Sequence, residues 1–247
     1  MTFKKQLLTF ACAAAIIASL QSCSGDSANN ESSDSTKQYV HIPPALPDSV
    51  YNHLRNGDII IRKGNGPLSA HIMVNTKEEY SHCGIIVKEG ETWKVIHTIG
   101  GSASDDAQDG VQMMDLTEFV KHGADSMLFI CRPVFADSLE TKIPERAYYY
   151  LNQAVPFDHA FSLFTPEKLY CSELLFYIFK EVNNGENIFE VRKQHKSYML
   201  LFSTFFDKEK FEPVFHLKED NCTPGWSGWC IVPDTLTLDS IDTTNVH

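Results

Sequence analysis

Two strand-like runs, "SHCGIIVK" from Ser81 and "TWKVIHTI" from Thr92, constrain this chain more than any other feature, because only "EGE" separates them. Runs rich in Ile and Val, closed on a glycine, read as the arms of a β-hairpin. Side chains on a strand alternate between faces, so His82, Gly84 and Ile86 share one face while Cys83, Ile85 and Val87 share the other. With Glu89-Gly90 as a two-residue turn, Lys88 opposes Glu91, and the same pairing sum sets His82 opposite His97. Directly opposed residues have Cβ atoms about 5 Å apart, close enough for two imidazoles to hydrogen bond. A one-residue change in the turn would send His97 to the other face.

The rest of the chain supplies a sheet and helices around that hairpin. "DIIIR" is a strand over Asp58–Arg62, with a turn at Lys63–Pro67. "VQMM" and "MLFICRPV" (Met127–Val134) are further strands, giving a sheet of five or more. Asp115 and Glu118 have capping-box spacing for a helix through Val120, and Pro144 starts the helix of "IPERAYYYLNQAV". In "CSELLFYIFKEV", Leu174, Leu175, Ile178, Phe179 and Val182 form one apolar stripe of a helix. Thr165-Pro166-Glu167 is a competing start for that helix. Phe202, Phe205 and Phe206 mark a buried patch in a weaker C-terminal third. The expected class is α+β, an antiparallel sheet packed on helices.

The N-terminus reads as an address rather than as fold. Lys4 and Lys5 precede an apolar stretch from Leu7 to Leu20, the pattern of an export signal. It closes on Leu-Gln-Ser-Cys, which resembles a bacterial lipobox with Cys23 as the lipidated first mature residue; a plain cleaved signal is the alternative. "SGDSANNESSDSTKQ" has almost no apolar residues to bury and reads as a tether over residues 24–38, before one domain over 39–247. This places the protein in the bacterial cell envelope, attached to a membrane through its lipid. The formal charge of −11 and pI near 5.3 exclude nucleic acid as a partner.

The histidine pair has two readings, and the partner decides between them. Two strand histidines, one packed in the core and one exposed, need no function at all. A zinc site from His82, His97 and a cysteine lacks support, since the chain has neither Cys-x-x-Cys nor His-Glu-x-x-His. Cys171 is the better partner. It stands where an aromatic segment becomes the amphipathic helix, and unpaired N–H groups at a helix N-terminus favour a thiolate. A start at Thr165 would put it mid-helix, and a buried inert thiol is the plain alternative. Cys83 and Cys131 read as core, and Cys222 and Cys230 flank "TPGWSGW", where a disulfide is open.

"NGDIIIR", "SHCGIIV", the strand ending at His97, "VPFDHAF" and "YCSELLFY" together resemble the YiiX-like family of permuted papain-fold amidases. That family is related to NlpC-type cell-wall peptidases and to lecithin:retinol acyltransferase-like enzymes. The resemblance spans Asn56 to Val182. It implies a circularly permuted papain-like fold with Cys171 as nucleophile, His82 as base and His97 in the orienting position, where relatives often carry glutamate. Asp58, Tyr170 and Ser172 fall at its substrate or oxyanion positions, although Asp58 also reads as a turn cap. Glu173 reads as capping or pairing within its own helix, and Asp158 as a cap on its loop. The implied chemistry is acyl transfer through a thioester without metal or organic cofactor. The leading substrate class is cell-wall-type peptide amides, from the envelope address and the family relation; an acyl lipid is the alternative, or, if turnover has been lost, only a bound ligand. A charged lining beside Cys171 would favour a peptide, an aliphatic slot an acyl chain.

Overall fold

The computed structural model describes residues 45–101, 109–135, 140–194 and 197–218. The export segment with Cys23, the tether, and the Cys222–Cys230 loop with its tryptophans lie outside the described residues.

After a short helix α1 (Asp48–Tyr51) the chain runs β1 (Ile59–Gly64), α2 (Pro67–Thr76), β2 (His82–Glu89), β3 (Thr92–Ile99), β4 (Gly110–Asp115), α3 (Leu116–Lys121) and β5 (Gly123–Pro133). Next come α4 (Lys142–Asn152), α5 (Cys171–Val182), β6 (Val191–Gln194), β7 (Ser197–Leu200), a 3-10 turn (Phe202–Phe206) and β8 (Phe211–Leu217). Six strands form one sheet in the order β4-β3-β2-β1-β5-β8, with every neighbouring pair antiparallel; β6 and β7 form a separate hairpin.

Both faces of the central strands are buried, which is why β1 reads Ile-Ile-Ile rather than alternating with polar residues. On one face Ile59, Ile61, Cys83, Ile85 and Ile96 pack with Ile143 and Ala147 of α4 and with Leu174, Leu175, Ile178 and Phe179 of α5. On the other, Ile60, Ile86, Val95 and Leu128 pack with Leu116, Phe119 and Val120 of α3. Each such isoleucine contributes about 1.5–3 kcal/mol on burial.

Three local expectations change. The hairpin turn is Gly90-Glu91, not Glu89-Gly90: Glu89 pairs with Thr92, and Gly90 takes φ +61 at the first central position, where glycine is favoured. The register therefore moves by two, so His97 opposes Gly84 and still shares a face with His82. Pro67 opens α2 instead of ending a turn. Asp115 precedes α3 but makes no capping bond; its carboxylate accepts from Lys94 Nζ at 2.5 Å across the β3–β4 pair. Of the two starts open for α5, the helix takes the expected one at Cys171 and not the competing one at Thr165. Phe164 has φ +85 and donates, with Thr165, its backbone N–H to Glu173 Oε1, a conformation that cannot continue as a helix.

Candidate active site

Cys171 is the first residue of α5, with Tyr170 as its N-cap in extended conformation. Two contacts hold this end of the helix against the sheet: Thr98 Oγ1 of β3 donates to the Leu169 carbonyl at 2.8 Å, and Leu169 N–H donates to the Pro156 carbonyl at 2.9 Å. The Cys171 Sγ lies 3.9 Å from the Ser81 carbonyl oxygen. Its pKa is lowered, first by the thiol of Cys83 and then by the backbone N–H groups of Cys83, Ser172 and Cys171 itself, against burial, which acts to raise it. The Cys83 thiol leads, and the helix-terminal N–H groups of Ser172 and Cys171 add the smaller share expected at an N-terminus.

The two histidines meet, as the strand period requires, but diagonally rather than directly across. His82 Nε2 and His97 Nδ1 are 3.0 Å apart, with ring planes at 84°. The contact needs Gly84, since a Cβ there would come within 3.1 Å of His97 Cβ and 2.4 Å of Val95 Cγ1. Both rings pack on Phe119 of α3, His82 stacked and His97 edge-on. Arg62, paired with His82 across β1–β2, lays its guanidinium 4.6 Å from the same phenyl centroid and donates to the His122 carbonyl. Burial and then the Arg62 charge hold His82 well below the ordinary histidine range and His97 at about 3. Both imidazoles are therefore neutral at neutral pH. Among the described residues, His97 Nε2 and Gln112 Nε2, buried on cross-strand partners β3 and β4, have no hydrogen-bond partner.

The expected Cys171–His82 contact is not made. The imidazoles stand on the α3 face of the sheet and Cys171 on the α5 face, and among the described residues no hydrogen bond joins them. Alternation along β2 put His82 and Cys83 on opposite faces, but nothing in the sequence says which face α5 covers; the helix covers that of Cys83.

Asp58 is not a substrate group. Its carboxylate is 1% exposed and fully engaged by Arg132 Nε and Nη2 at 2.8 and 2.9 Å and by Arg55 N–H at 2.8 Å. A carboxylate that only accepts has no donor to give an oxyanion, and Arg132 with the Arg55 turn accounts for this one structurally. Ser172 and Tyr170 do stay with the thiol: both line the same cleft, and among the described residues the buried Tyr170 hydroxyl finds no acceptor. Burial and then Glu173 raise the Tyr170 pKa far above its ordinary value, so it remains a donor. Glu173 accepts from the 164–165 backbone as well as meeting the Tyr170 backbone at the N-cap of its own helix, and burial pushes its pKa up to about 8. Asp158 caps its loop as expected, accepting from Ala160 and Ser162 N–H. Sequence reasoning missed Arg62, Phe119 and Cys83 as parts of these sites. A lone arginine closing an isoleucine run on a central strand was the available signal for the first.

A six-stranded antiparallel sheet, with a cysteine heading the helix that packs on it and the histidine strands preceding that helix in sequence, defines the class of papain-like folds in permuted order. The permuted papain-like amidase family, YaeF/YiiX or C92, matches residues 53–199, and the chain belongs to this family. The crystal structure of metalloprotein YiiX from Escherichia coli O157:H7 is similar in fold, with TM-score 0.56 and 19% identity, covering 66% of this chain and 98% of that one. No curated protein matches the chain significantly. The residues here do not form a metal site: among the described residues no group of three His, Cys, Asp or Glu side chains converges, and the two imidazoles face a guanidinium rather than a third ligand.

Proposed function

We propose that the protein is a cysteine amidase that uses Cys171 as nucleophile and takes an apolar acyl group. The observation that carries this reading is the position of the Cys171 thiol, at the first turn of α5 with N–H groups directed at it and an open cleft beside it. The thiolate attacks the amide carbonyl, and the oxyanion meets the backbone N–H groups of Cys171 and Ser172, with the Tyr170 hydroxyl as a further donor. His82, neutral and hydrogen-bonded to His97, supplies acid–base catalysis to the leaving amine and the incoming water. That role requires the Ser81–His82 segment to turn toward α5. This movement gives up the His82–His97 hydrogen bond and the Ser81 bonds to β1, while the backbone pairing of β2 with β3, which ends at Gly84–His97, is kept.

The cleft specifies the acyl side. Ile72, Phe161, Met199, Leu200 and Phe202 line it beside Cys171, and none of its lining residues is charged. That small, uncharged and mostly apolar lining suits a short apolar group rather than a charged peptide. On this reading cell-wall peptides are poor acyl donors, and the lipidated Cys23 holds the domain in the envelope beside membrane-derived amides. The test compares kcat/KM for N-acyl amides of short aliphatic acids with that for charged peptide amides, with the acyl-thioester on Cys171 sought by mass spectrometry. Preference for the aliphatic donors and loss of turnover in Cys171→Ala support the reading. The missing Cys171–His82 bond favours a second reading, a binding protein without turnover, and absence of any acyl-enzyme from the whole panel would establish that instead.

A further inference from the structure

A second thiol lies against the candidate nucleophile. Cys83 is fully buried, it packs with Cys171 in one buried cluster, and the Cys171 Sγ lies 3.9 Å from the carbonyl of Ser81, two residues before Cys83. Cys171 itself reaches the cleft, while Cys83 has no route to solvent of its own. The described cysteines are all free, and the third, Cys131, is remote from this contact. It sits on β5, with β1 between it and β2, because Ile59 pairs with both Cys131 and Ile85. Two strand spacings of about 4.8 Å put it beyond the Cα separation that a disulfide allows.

We propose that Cys171 is a reversible oxidation site for peroxides, with Cys83 as the resolving thiol that converts its sulfenic acid into a Cys83–Cys171 disulfide. In the first step the Cys171 thiolate attacks one peroxide oxygen. An S–O bond forms, the O–O bond breaks, hydroxide leaves, and sulfur is oxidised as peroxide is reduced. In the second step the Cys83 sulfur attacks the Cys171 sulfur. The S–S bond forms, the S–O bond breaks, and the departing hydroxyl takes the Cys83 proton and leaves as water. The order is fixed by the environments: burial and the neighbouring Cys171 raise the Cys83 pKa, so Cys83 is slow toward peroxide, whereas Cys171 carries thiolate character and faces the cleft. The disulfide removes the nucleophile while shielding it from irreversible over-oxidation. This inference goes beyond the amidase reading and does not depend on it.

The experiment oxidises the reduced full-length protein with hydrogen peroxide at neutral pH, blocks remaining thiols with N-ethylmaleimide after denaturation, and maps peptides by mass spectrometry. Expected is one crosslinked peptide pair joining Cys83 to Cys171, restored to two thiols by dithiothreitol, with Cys131 still free. In Cys83→Ala, Cys171 should instead accumulate as dimedone-reactive sulfenic acid and then as sulfinic acid that dithiothreitol does not reverse. A wild-type map showing Cys171 sulfinic acid beside a free Cys83, an unoxidised Cys171, or a different crosslinked pair overturns the proposal. The wild-type map decides this even if the variant misfolds, and it reads no turnover, so failure of the amidase reading would leave it standing.

Discussion

Replacing Gly84 by alanine tests whether the histidine pair is built by the register now observed. A Cβ at residue 84 would meet Val95 Cγ1 at 2.4 Å, the Ile96 carbonyl oxygen at 2.9 Å and His97 Cβ at 3.1 Å. The first clash involves a stiff β-branched side chain and the second a backbone atom of the paired strand, so neither is relieved by a rotamer change alone. Overpacking of this kind costs about 1–3 kcal/mol. Pushing His97 away also breaks its 3.0 Å bond to His82, a loss of about 1 kcal/mol. The lower unfolded-chain entropy of alanine returns about 0.5–1 kcal/mol. The net destabilisation is about 1–3 kcal/mol, or a fall in Tm of about 2–12 °C for a domain of this size. Thermal melts followed by circular dichroism, with urea unfolding as a second measure, supply the comparison. A Gly84→Ala protein as stable as the parent would refute the diagonal packing described above, because alanine could be accommodated only if His97 did not oppose Gly84.

Three further outcomes are expected. Asp58→Ala should cost about 3 kcal/mol in urea unfolding, since it strands the largely buried Arg132 guanidinium, while leaving kcat/KM of the folded enzyme unchanged. Glu173 has a folded pKa of about 8 against an unfolded value near 4.3, so its contribution is fully present below about pH 4.3 and is lost as pH rises through about 8. Unfolding free energy measured against pH should decline across that window in the parent and flatten in Glu173→Gln, which keeps the acceptor for Phe164 and Thr165. His82 and His97 have the opposite sign: their depressed values stabilise the fold above about pH 6.5, and that stability is lost as pH falls. The acid limb should therefore be shallower in a His97→Gln variant.

Much of the fold was legible because periodicity carries it. β3 follows its expected bounds from Thr92 to Ile99, and the apolar stripe of α5 packs as read. The face shared by His82 and His97 survived a wrong turn because a two-residue shift of register preserves alternation. Less legible was everything set by tertiary placement. No local signal told which face of β2 would receive α5, so Cys83 rather than His82 became the neighbour of Cys171. The helix start was ambiguous until Glu173 was seen holding the 164–165 backbone in a turn, a contact between residues eight and nine apart. Asp58 matched a family position, yet its geometry is set by Arg132, 74 residues away. Helix α2 was hidden because Pro67 serves equally as a turn residue and as the first residue of a helix.

The central claim is that Cys171 is an activated thiolate through the helix terminus and Cys83, not through His82. Its most direct test is the pH dependence of iodoacetamide alkylation at Cys171, located by mass spectrometry, in the parent and in His82→Ala. The account predicts an inflection below the free-thiol value of about 8.5 in both proteins, with turnover lost only in the variant. An inflection at or above 8.5 in the parent, or a depressed value that disappears with His82, would contradict it.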